Sequence, residues 1–419
     1  MININSFIDF IKGATTSYHT VASMEAELAS AGYKRLFERE SWELVPGGKY
    51  YTVRGGSIIA FRYRTAAKSM NIVSAHSDFP ALKLKAVPDT HGKYTKLNVE
   101  TYGGAIHYTW FDRPLSLAGR VAVKTENGID LMLVDLDEDI AVIPSVAPHL
   151  NRQVNTSFAP NAAIDLQPLY AAADAGSVLD KVASKLGVSA ADILSHDLYL
   201  YNRDSGRLFG EKGEFILAPR IDNLASVYTA LRAFIDADDT VSMPIIAVFD
   251  NEEVGSSTAE GAASDFLADT VKRLFSDDVA FRAALASSLV VSADGAHAIH
   301  PNHPELSDQH CYPVMGCGVA VKYNANRRYA TDALSDGALR LIASTRDIPL
   351  QSYSNRPDLL GGSTLGSISS TRLPVSTVDI GVPQLAMHSA CECAAVSDIK
   401  GMAELLLAFY ESELPRLFD

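Results

Sequence analysis

Apolar residues alternate with polar ones in two different ways along the chain. From about residue 214 onward, short apolar runs alternate with amphipathic stretches, as in FILAPRIDN, NLASVYTALRAFIDA, MPIIAVFDNEE, SSLVVSADGAH and STVDIGVPQLAMHS. Earlier, NIVSAHSDFP has an apolar start followed by a polar loop that proline closes. Strands that alternate with helices in this way predict an α/β fold, with a mostly parallel sheet covered by helices on both faces.

The stretch between these regions has a different pattern of apolar and polar residues. In GRVAVKTENGIDLMLVDL, residues Glu126 to Gly128 separate two strand-like runs, which predicts a β-hairpin. In LYAAADAGSVLDKVASKLGVSAADILSHDL, the apolar residues recur at helical spacing, which predicts a helix. The middle of the chain is therefore expected to fold differently from the regions on either side.

Acidic and imidazole side chains follow the predicted strands. In open α/β sheets, ligands bind in the crevice beyond the carboxyl ends of the strands. We therefore expect one functional site at that edge of the sheet. The residues at these strand ends are His76, Asp78, Asp222, Asp250 to Glu253, Asp294 and His388.

Composition narrows the class of protein. The 419 residues are 47% hydrophobic and 21% charged, which excludes collagen-like, disordered and disulfide-scaffold classes and predicts two or three domains. The formal net charge of −14 argues against nucleic acid or an anionic membrane as a partner, because both require a basic face. A soluble enzyme fits these values better.

Cysteine usage and the absence of long apolar runs predict a cytoplasmic location. The four cysteines form no C-x-x-C pair, so we expect reduced, buried thiols. The first 20 residues lack the features of a signal peptide, and no apolar run approaches the 18 residues that a membrane span requires.

Carboxylates gathered at one sheet edge repel one another unless a cation or protonation relieves them. Oxygen ligands together with two histidines suit Zn²⁺, Mn²⁺ or Co²⁺ better than Ca²⁺ or Mg²⁺. Two divalent ions and a bridging hydroxide would neutralise three ligating carboxylates. The pattern therefore predicts a site for two metal ions.

Each candidate also has a structural interpretation. His76 alone could be a hydrogen-bonded structural histidine, but Asp78 lies two residues further on, on the same side of an extended segment, where a carboxylate can orient a ligating ring. Asp222 could cap the following helix. Glu252 and Glu253 are adjacent acids at a buried sheet edge, which carries a desolvation cost that a solvated pair would not.

The remaining candidates lie in loops and turns. Asp294 precedes a glycine and could mark only a turn, and His388 could be a core residue on a helix face. His297, His300 and His303 follow at three-residue intervals, but Pro301 and Pro304 break the helix that would align them. Solvated loop histidines are the expected reading of that triplet.

Taken together, the segments resemble the aspartyl aminopeptidase and vacuolar aminopeptidase I family of dinuclear zinc peptidases, almost from end to end. The longest matching strings are the most specific. They include SAHSDFP, TYGGAIHYTWFDRPLSLAGRV, APHLNRQVN, APRIDNLASVYTAL, VFDNEEVGS, SADGAHAIHPNHP, KYNANRRYATD and DIGVPQLAMHSACE.

The resemblance implies an amino-terminal peptidase with named residue roles. Asp78 would orient His76, and Glu252 would be the general base that passes a proton from water to the leaving amine. Peptides would be the substrates. The implied ligands of two ions, most simply zinc, are His76, Asp222, Glu253, Asp294 and His388.

The resemblance also implies an architecture. A three-layer sandwich with a mostly parallel sheet, like other zinc exopeptidases, would contain residues 1–83 and 214–419. Residues 84–213 would form an inserted β-rich dimerisation domain, and dimers would assemble into a tetrahedral dodecamer with enclosed active sites. His149 would reach a neighbouring subunit's active site, unless it is a structural loop histidine.

Substrate preference is divided within this family between acidic and neutral amino-terminal residues. Lys322, and less so Arg356, are candidate cations for an acidic side chain. The sequence departs from the eukaryotic aspartyl pattern at Asp358, Leu359 and Leu360, which bears on a strict acidic preference. Two other hypotheses are a related dinuclear amidohydrolase, such as a carboxypeptidase or deacetylase, and a non-catalytic cage-like scaffold.

Overall fold

The computed structural model describes residues 2–414 except 66, 174, 360 and 363. The helices of the described residues are α1 (Ile4–Gly13), α2 (Ser17–Ser30), α3 (Val178–Leu186), α4 (Ile221–Asp236), α5 (Phe266–Lys272), α6 (Asp278–Ala286), α7 (Ala333–Ser344), α8 (Leu365–Ser369) and α9 (Val396–Tyr410). Short 3-10 helices lie at His107–Trp110, Ala190–Asp192, Glu252–Val254 and Pro304–Leu306.

The strands of the described residues form three sheets. Their bounds are β1 (Lys34–Leu36), β2 (Lys49–Arg54), β3 (Ser57–Arg62), β4 (Met70–His76), β5 (Ala81–Thr90), β6 (Tyr94–Tyr102), β7 (Leu115–Thr125), β8 (Gly128–Asp135), β9 (Leu169–Ala172), β10 (Ile193–Asn202), β11 (Arg207–Phe209), β12 (Phe215–Ala218), β13 (Met243–Phe249), β14 (Leu289–Ala293), β15 (Ala296–His297), β16 (Val319–Tyr323), β17 (Leu350–Ser354), β18 (Ser376–Gly381), β19 (Pro383–Leu385) and β20 (Glu392–Ala395).

The chain divides into two compact units. The first contains the described parts of Met1–Asp78, Gly206–Met387 and Glu392–Asp419, and the second contains Phe79–Ser205 and His388–Cys391. These borders differ from the predicted 84 and 213. The reason is strand pairing, because β5 already belongs to the sheet of the second unit while β11 pairs with β12 in the first.

A nine-stranded sheet forms the centre of the first unit, in the order β1-β2-β3-β13-β4-β14-β18-β16-β17. The four central strands, from β13 to β18, are parallel, as the sequence predicts. The sheet as a whole is mixed, since β3 and β16 run antiparallel to their neighbours β13 and β18. Every residue of β13 is buried, which is typical of a strand covered on both faces.

Helices pack against this sheet from two sides. On one side, Ile72 and Phe249 belong to a buried cluster with Phe266 of α5 and Phe281 of α6. On the other side, α4 and α9 contact β4, and the Asn71 side-chain amide donates to a carbonyl oxygen of α9 at 2.6 Å. Because successive strand residues point to opposite faces, Asn71 and Ile72 mark the two faces.

The parallel register places the candidate residues side by side. His76, the last residue of β4, lies opposite Phe249, the last residue of β13. The acidic loop that begins at Asp250 therefore starts next to His76. Asp294 directly follows β14, which pairs with β4 on its other edge.

The second unit is built on a six-stranded sheet, in the order β8-β7-β10-β5-β6-β9. The predicted hairpin is confirmed as β7 and β8, which close at Thr125 and Gly128. The predicted helix is shorter than expected. Ser177 caps α3 at its start, with Asp180 completing a capping box, and Gly187 ends it in the left-handed conformation. The apolar residues outside these caps form β9 and β10 instead.

The structure tests two predictions from the sequence, one about membrane-spanning helices and one about the cysteines. Among the described residues, no helix is both long and apolar enough to cross a bilayer. The four cysteines form no disulfide with one another; Cys317 is exposed, Cys311 and Cys391 are partly exposed, and Cys393 is buried. The expectation of buried thiols is therefore confirmed for Cys393 and wrong for Cys317.

Candidate metal centre

His76 is buried at the end of β4 with its two ring nitrogens in different surroundings. Its Nδ1 lies 3.0 Å from the carbonyl oxygen of Asp78, and a ring nitrogen that faces a carbonyl oxygen carries the proton. Its Nε2 lies 3.5 Å from Asp222 Oδ1 and 3.3 Å from Asp294 Oδ1. Ligating histidines have this arrangement, with one nitrogen held by an oxygen and the other turned toward the metal.

The Asp78 carboxylate holds the acidic loop that follows β13. Its two oxygens accept hydrogen bonds from the backbone N–H groups of Glu252 and Glu253, each at 3.1 Å. The loop turns at Asn251, which has a left-handed backbone with φ of 64°. Asp78 therefore fixes the backbone of both acids. Its Oδ1 also lies 3.5 Å from His76 Nδ1.

Asp222 is buried near the start of α4. Its backbone is extended, with φ −81° and ψ 108°, and the peptide bond to Asn223 is cis. Its N–H donates to Glu392 Oε2 at 2.9 Å. Asn223 is also non-helical, so the regular part of α4 begins after these two residues, and Asp222 Oδ1 lies 3.5 Å from His76 Nε2.

Asp294 follows β14 and is held by two groups. Its Oδ1 accepts from the backbone N–H of Gly295 at 2.7 Å, and its Oδ2 lies 3.2 Å from the ammonium of Lys322. The side chains of Asp294 and Lys322 are 12% and 3% exposed, so this ion pair is buried. Asp294 is thus more than a turn residue.

The donor set in the first unit fits metal binding. Ligand atoms of His76, Asp222 and Asp294 lie within 4.8 Å of one another, and so do those of His76, Glu252 and Glu253. Imidazole combined with carboxylates is a typical zinc donor set. With Asp78 included, five carboxylates and one lysine give a formal charge of −4 when His76 is neutral, and two divalent ions would neutralise it.

The pKa values reflect this crowding. Burial is the largest influence on Glu252 and raises its pKa to about 7; nearby Asp294 and Asp78 add to the rise, although His76 opposes it. Burial disfavours a charged His76, but hydrogen bonds to Asp222, Asp294 and Asp78 raise its pKa well above the usual value. The carboxylates thus attract positive charge to the position that His76 Nε2 faces.

The two candidate cations for an acidic substrate both have partners. Lys322 is buried against Asp294, and its ammonium lies over the ring of Tyr329, 5.4 Å from the ring centroid. Most lysines are exposed at the surface, but Lys322 is not. Arg356 pairs with Asp358, with Nε 2.7 Å from Oδ1. Of the residues at which the sequence departs from the aspartyl pattern, Asp358 and Leu359 are exposed, and Leu360 lies outside the described residues.

His388 and His149 belong to the second unit. His388 begins the segment 388–391, and its Nδ1 lies 3.1 Å from the carbonyl oxygen of Gly104. This repeats the arrangement of His76, because a carbonyl oxygen faces Nδ1 and the proton is then carried by Nδ1 rather than by Nε2. His149 lies in an exposed turn.

His297, the last residue of β15, and the loop residues His300 and His303 all contact other protein groups. His303 Nδ1 lies 3.0 Å from Glu305 Oε1, and His300 Nδ1 accepts from the backbone N–H of Asn302 at 3.2 Å. The His297 ring packs edge-on against Tyr353. These contacts agree with the structural interpretation of the triplet.

The sequence assigned no role to two acids near the site, Glu392 and Asp250. Glu392 holds the backbone of Asp222, and its only signal was an acid directly before the apolar residues of β20. Asp250 stood among the strand-end residues without a role. It is almost fully buried behind the acidic loop, where it accepts a hydrogen bond from Ser17.

Comparisons with known proteins agree with this geometry. Residues 10–410 match the aminopeptidase I zinc metalloprotease (M18) family. A probable M18 family aminopeptidase 2 of Pseudomonas fluorescens strain SBW25 is 39% identical over 421 residues, covering 97% of this chain and 98% of the relative.

Two solved structures are also similar. One is the complex of Ape4 and Nbr1, with TM-score 0.95, 31% identity, and coverage of 99% of this chain and 86% of that one. The other is the S. cerevisiae mApe1 dodecamer, with TM-score 0.86, 26% identity, and coverage of 99% and 97%. The chain belongs to the M18 family of zinc aminopeptidases.

Proposed function

We propose that this zinc aminopeptidase binds two zinc ions and uses them to hydrolyse the amino-terminal residue from peptides. The observation that carries the proposal is the position of Glu252. Its carboxylate lies within ligand distance of His76 and Glu253, so it is close enough to the proposed metal site to exchange a proton there. A general base must lie within hydrogen-bond reach of the proton that it takes. The proposed ligands are His76, Asp222, Glu253, Asp294 and His388.

The residues of the chain then divide the work. Bound zinc would polarise the scissile carbonyl and lower the pKa of the attacking water. Glu252 takes the proton from that water and delivers it to the leaving amine. Asp78 keeps Glu252 and Glu253 in place through their backbone N–H groups. One acid of the adjacent pair thus binds metal while its neighbour carries the proton.

The proposal extends to the architecture. The mixed sheet with helices on both faces supports a zinc-exopeptidase-like three-layer sandwich, and the separate compactness of Phe79–Ser205 supports an inserted domain that associates subunits. The similar S. cerevisiae protein was solved as a dodecamer. We propose that this chain also forms a homo-oligomer, in which His149 contributes to the substrate site of a neighbouring subunit.

We further propose that Lys322 favours an acidic amino-terminal side chain. In the structure the ammonium compensates Asp294. A zinc ion bound by Asp294 would take over that compensation, and the positive charge of Lys322 would then be available to a substrate carboxylate. Wild-type protein should therefore prefer Asp and Glu substrates, and Lys322→Met should reduce that preference.

One experiment tests the reaction, the metal count and the preference together. Zinc per chain is measured on the same sample that is assayed with Asp, Glu, Ala and Leu p-nitroanilides and, with products identified by mass, with N-acetylated dipeptides that carry a free carboxyl end. We expect two zinc equivalents and cleavage of the free-amino substrates alone. Cleavage of the acetylated forms would indicate an amidohydrolase, and zinc without any cleavage would indicate a scaffold.

A further inference from the structure

A buried polar network lies directly behind the acidic loop. At its centre is Asp250, which is 2% exposed and precedes Glu252 by two residues. Its Oδ2 accepts from the Ser17 hydroxyl at 3.0 Å, and its Oδ1 accepts from the N–H of Asn251 at 2.8 Å. Its own N–H donates to the Ser57 hydroxyl at 2.7 Å. Asp250 is therefore fixed through both carboxylate oxygens and its backbone.

The partner Ser17 comes from the start of the chain. It is the first residue of α2, immediately after the N-cap residue Thr16. One turn further along the same helix, the Thr20 hydroxyl lies 3.0 Å from the carbonyl oxygen of Thr16 and 3.3 Å from that of Ser77, and it donates to this pair. The beginning of α2 thus contacts the loop after β13 and the residue between His76 and Asp78.

The backbone at Gly56 closes this network tightly. A Cβ atom at Gly56 would lie 2.1 Å from Asp250 Oδ2 and 2.8 Å from Ser17 Oγ. The Gly56 carbonyl accepts from the Ser77 hydroxyl at 2.6 Å. No side chain at residue 56 is compatible with the observed position of the Asp250 carboxylate.

We infer that Ser17 and Asp250 are positioning residues for the reaction, and that the start of α2 acts through them to hold Glu252 where it transfers a proton. The loop has two fixed points, Asp250 at its root and the N–H groups held by Asp78 near its tip. Losing the Ser17 contact leaves Asp250 with its bonds to Asn251 and Ser57 but without the bond that ties it to α2, so the root of the loop is less constrained. Displacement by about 1 Å can cost about 100-fold in rate.

The inference rests on the proposed role of Glu252, and it makes a specific kinetic prediction. Ser17→Ala in the zinc-loaded enzyme should lower kcat by about 10–100-fold, the usual cost of losing an outer contact to a metal site. KM and the zinc content should stay at wild-type values, because Ser17 is buried and its hydroxyl donates to Asp250 rather than to any proposed zinc ligand. Ser17→Thr, which keeps the hydroxyl, should recover most of kcat.

Matched variants separate positioning from general damage. Ser30→Ala removes a hydroxyl from the other end of α2, where it bonds only within the helix, and should leave kcat unchanged. Gly56→Ala pushes on the Asp250 carboxylate from the other side and should reproduce the loss of kcat. Combining Ser17→Ala with Asp250→Asn should cost no more than the larger single effect, because both act through one contact.

The outcomes are distinguishable from failure of the proposed function. If Ser17→Ala keeps the wild-type kcat, or if its effect multiplies with that of Asp250→Asn, the positioning role is wrong. If Ser17→Ala loses zinc together with activity, the residue supports the metal site as a whole and the inference is also wrong. If Glu252→Gln is as active as wild type, the assignment of Glu252 fails, whatever Ser17→Ala does.

Discussion

The buried ion pair between Lys322 and Asp294 gives a prediction whose size follows from the structure. Replacing Lys322 by Met removes the ammonium 3.2 Å from Asp294 Oδ2 and leaves a buried carboxylate without that charge. Breaking a buried pair by removing one partner costs about 3–5 kcal/mol. The first unit has about 290 residues, for which unfolding entropy is about 0.6 kcal/mol/K, so the expected fall in Tm is about 5–8 °C.

Calorimetry with and without metal tests this reasoning. The full fall in Tm is expected for protein treated with a chelator. In zinc-loaded protein the fall should be smaller, since the metal compensates Asp294 in place of Lys322. Lys272→Met is the matched control, because Lys272 is exposed on α5. If metal-free Lys322→Met melts at the same temperature as this control, the ion pair does not stabilise the fold and the reasoning is refuted.

Three further predictions follow from other contacts. Asp78→Asn weakens the acceptors of the Glu252 and Glu253 N–H groups and should lower kcat by about 10–100-fold; unchanged kcat in zinc-loaded protein would contradict that role. Burial raises the pKa of Asp379, so its contribution to stability is fully present below the unfolded pKa of about 3.9 and is lost as pH rises through the folded value. Asp379→Asn should therefore gain stability relative to wild type as pH rises from about 4 toward neutral, and urea midpoints that run parallel over this range would contradict the prediction. Removing zinc should lower Tm, because the clustered carboxylates would then repel one another. Adding zinc back should restore Tm, and thermal scans with chelator and then with excess zinc test both steps.

The strand ends were predictable because they depend on a local pattern. The fully buried strand β13 is an unbroken apolar run, and the first polar residue after it marks its end. The buried strand β4 is also mostly apolar, although Asn71 and Ser74 lie within it. Parallel neighbours bring those ends to one edge, so the meeting of His76 with Glu252 and Asp294 follows from the sequence and the fold class. The division of the site's acids into roles came from the family resemblance.

Contacts between distant segments were not predictable in the same way. Nothing near Ser17 indicates that its hydroxyl reaches Asp250, because that contact depends on how α2 packs behind the loop. The burial of Lys322 is similar, since a lone lysine at the end of an apolar strand reads as a solvated one. The limits of α3 were set by Ser177 and Gly187, whose capping signals outweigh the helical spacing of the flanking residues.

The proposed reaction depends on Glu252 transferring the proton without binding metal itself. Glu252→Gln, purified with zinc, tests this step when zinc content and turnover are measured on one sample. We expect the variant to keep both zinc equivalents and to lose turnover by at least about 100-fold, the usual contribution of a general base. Turnover within a few-fold of wild type, or loss of zinc together with turnover, would contradict it.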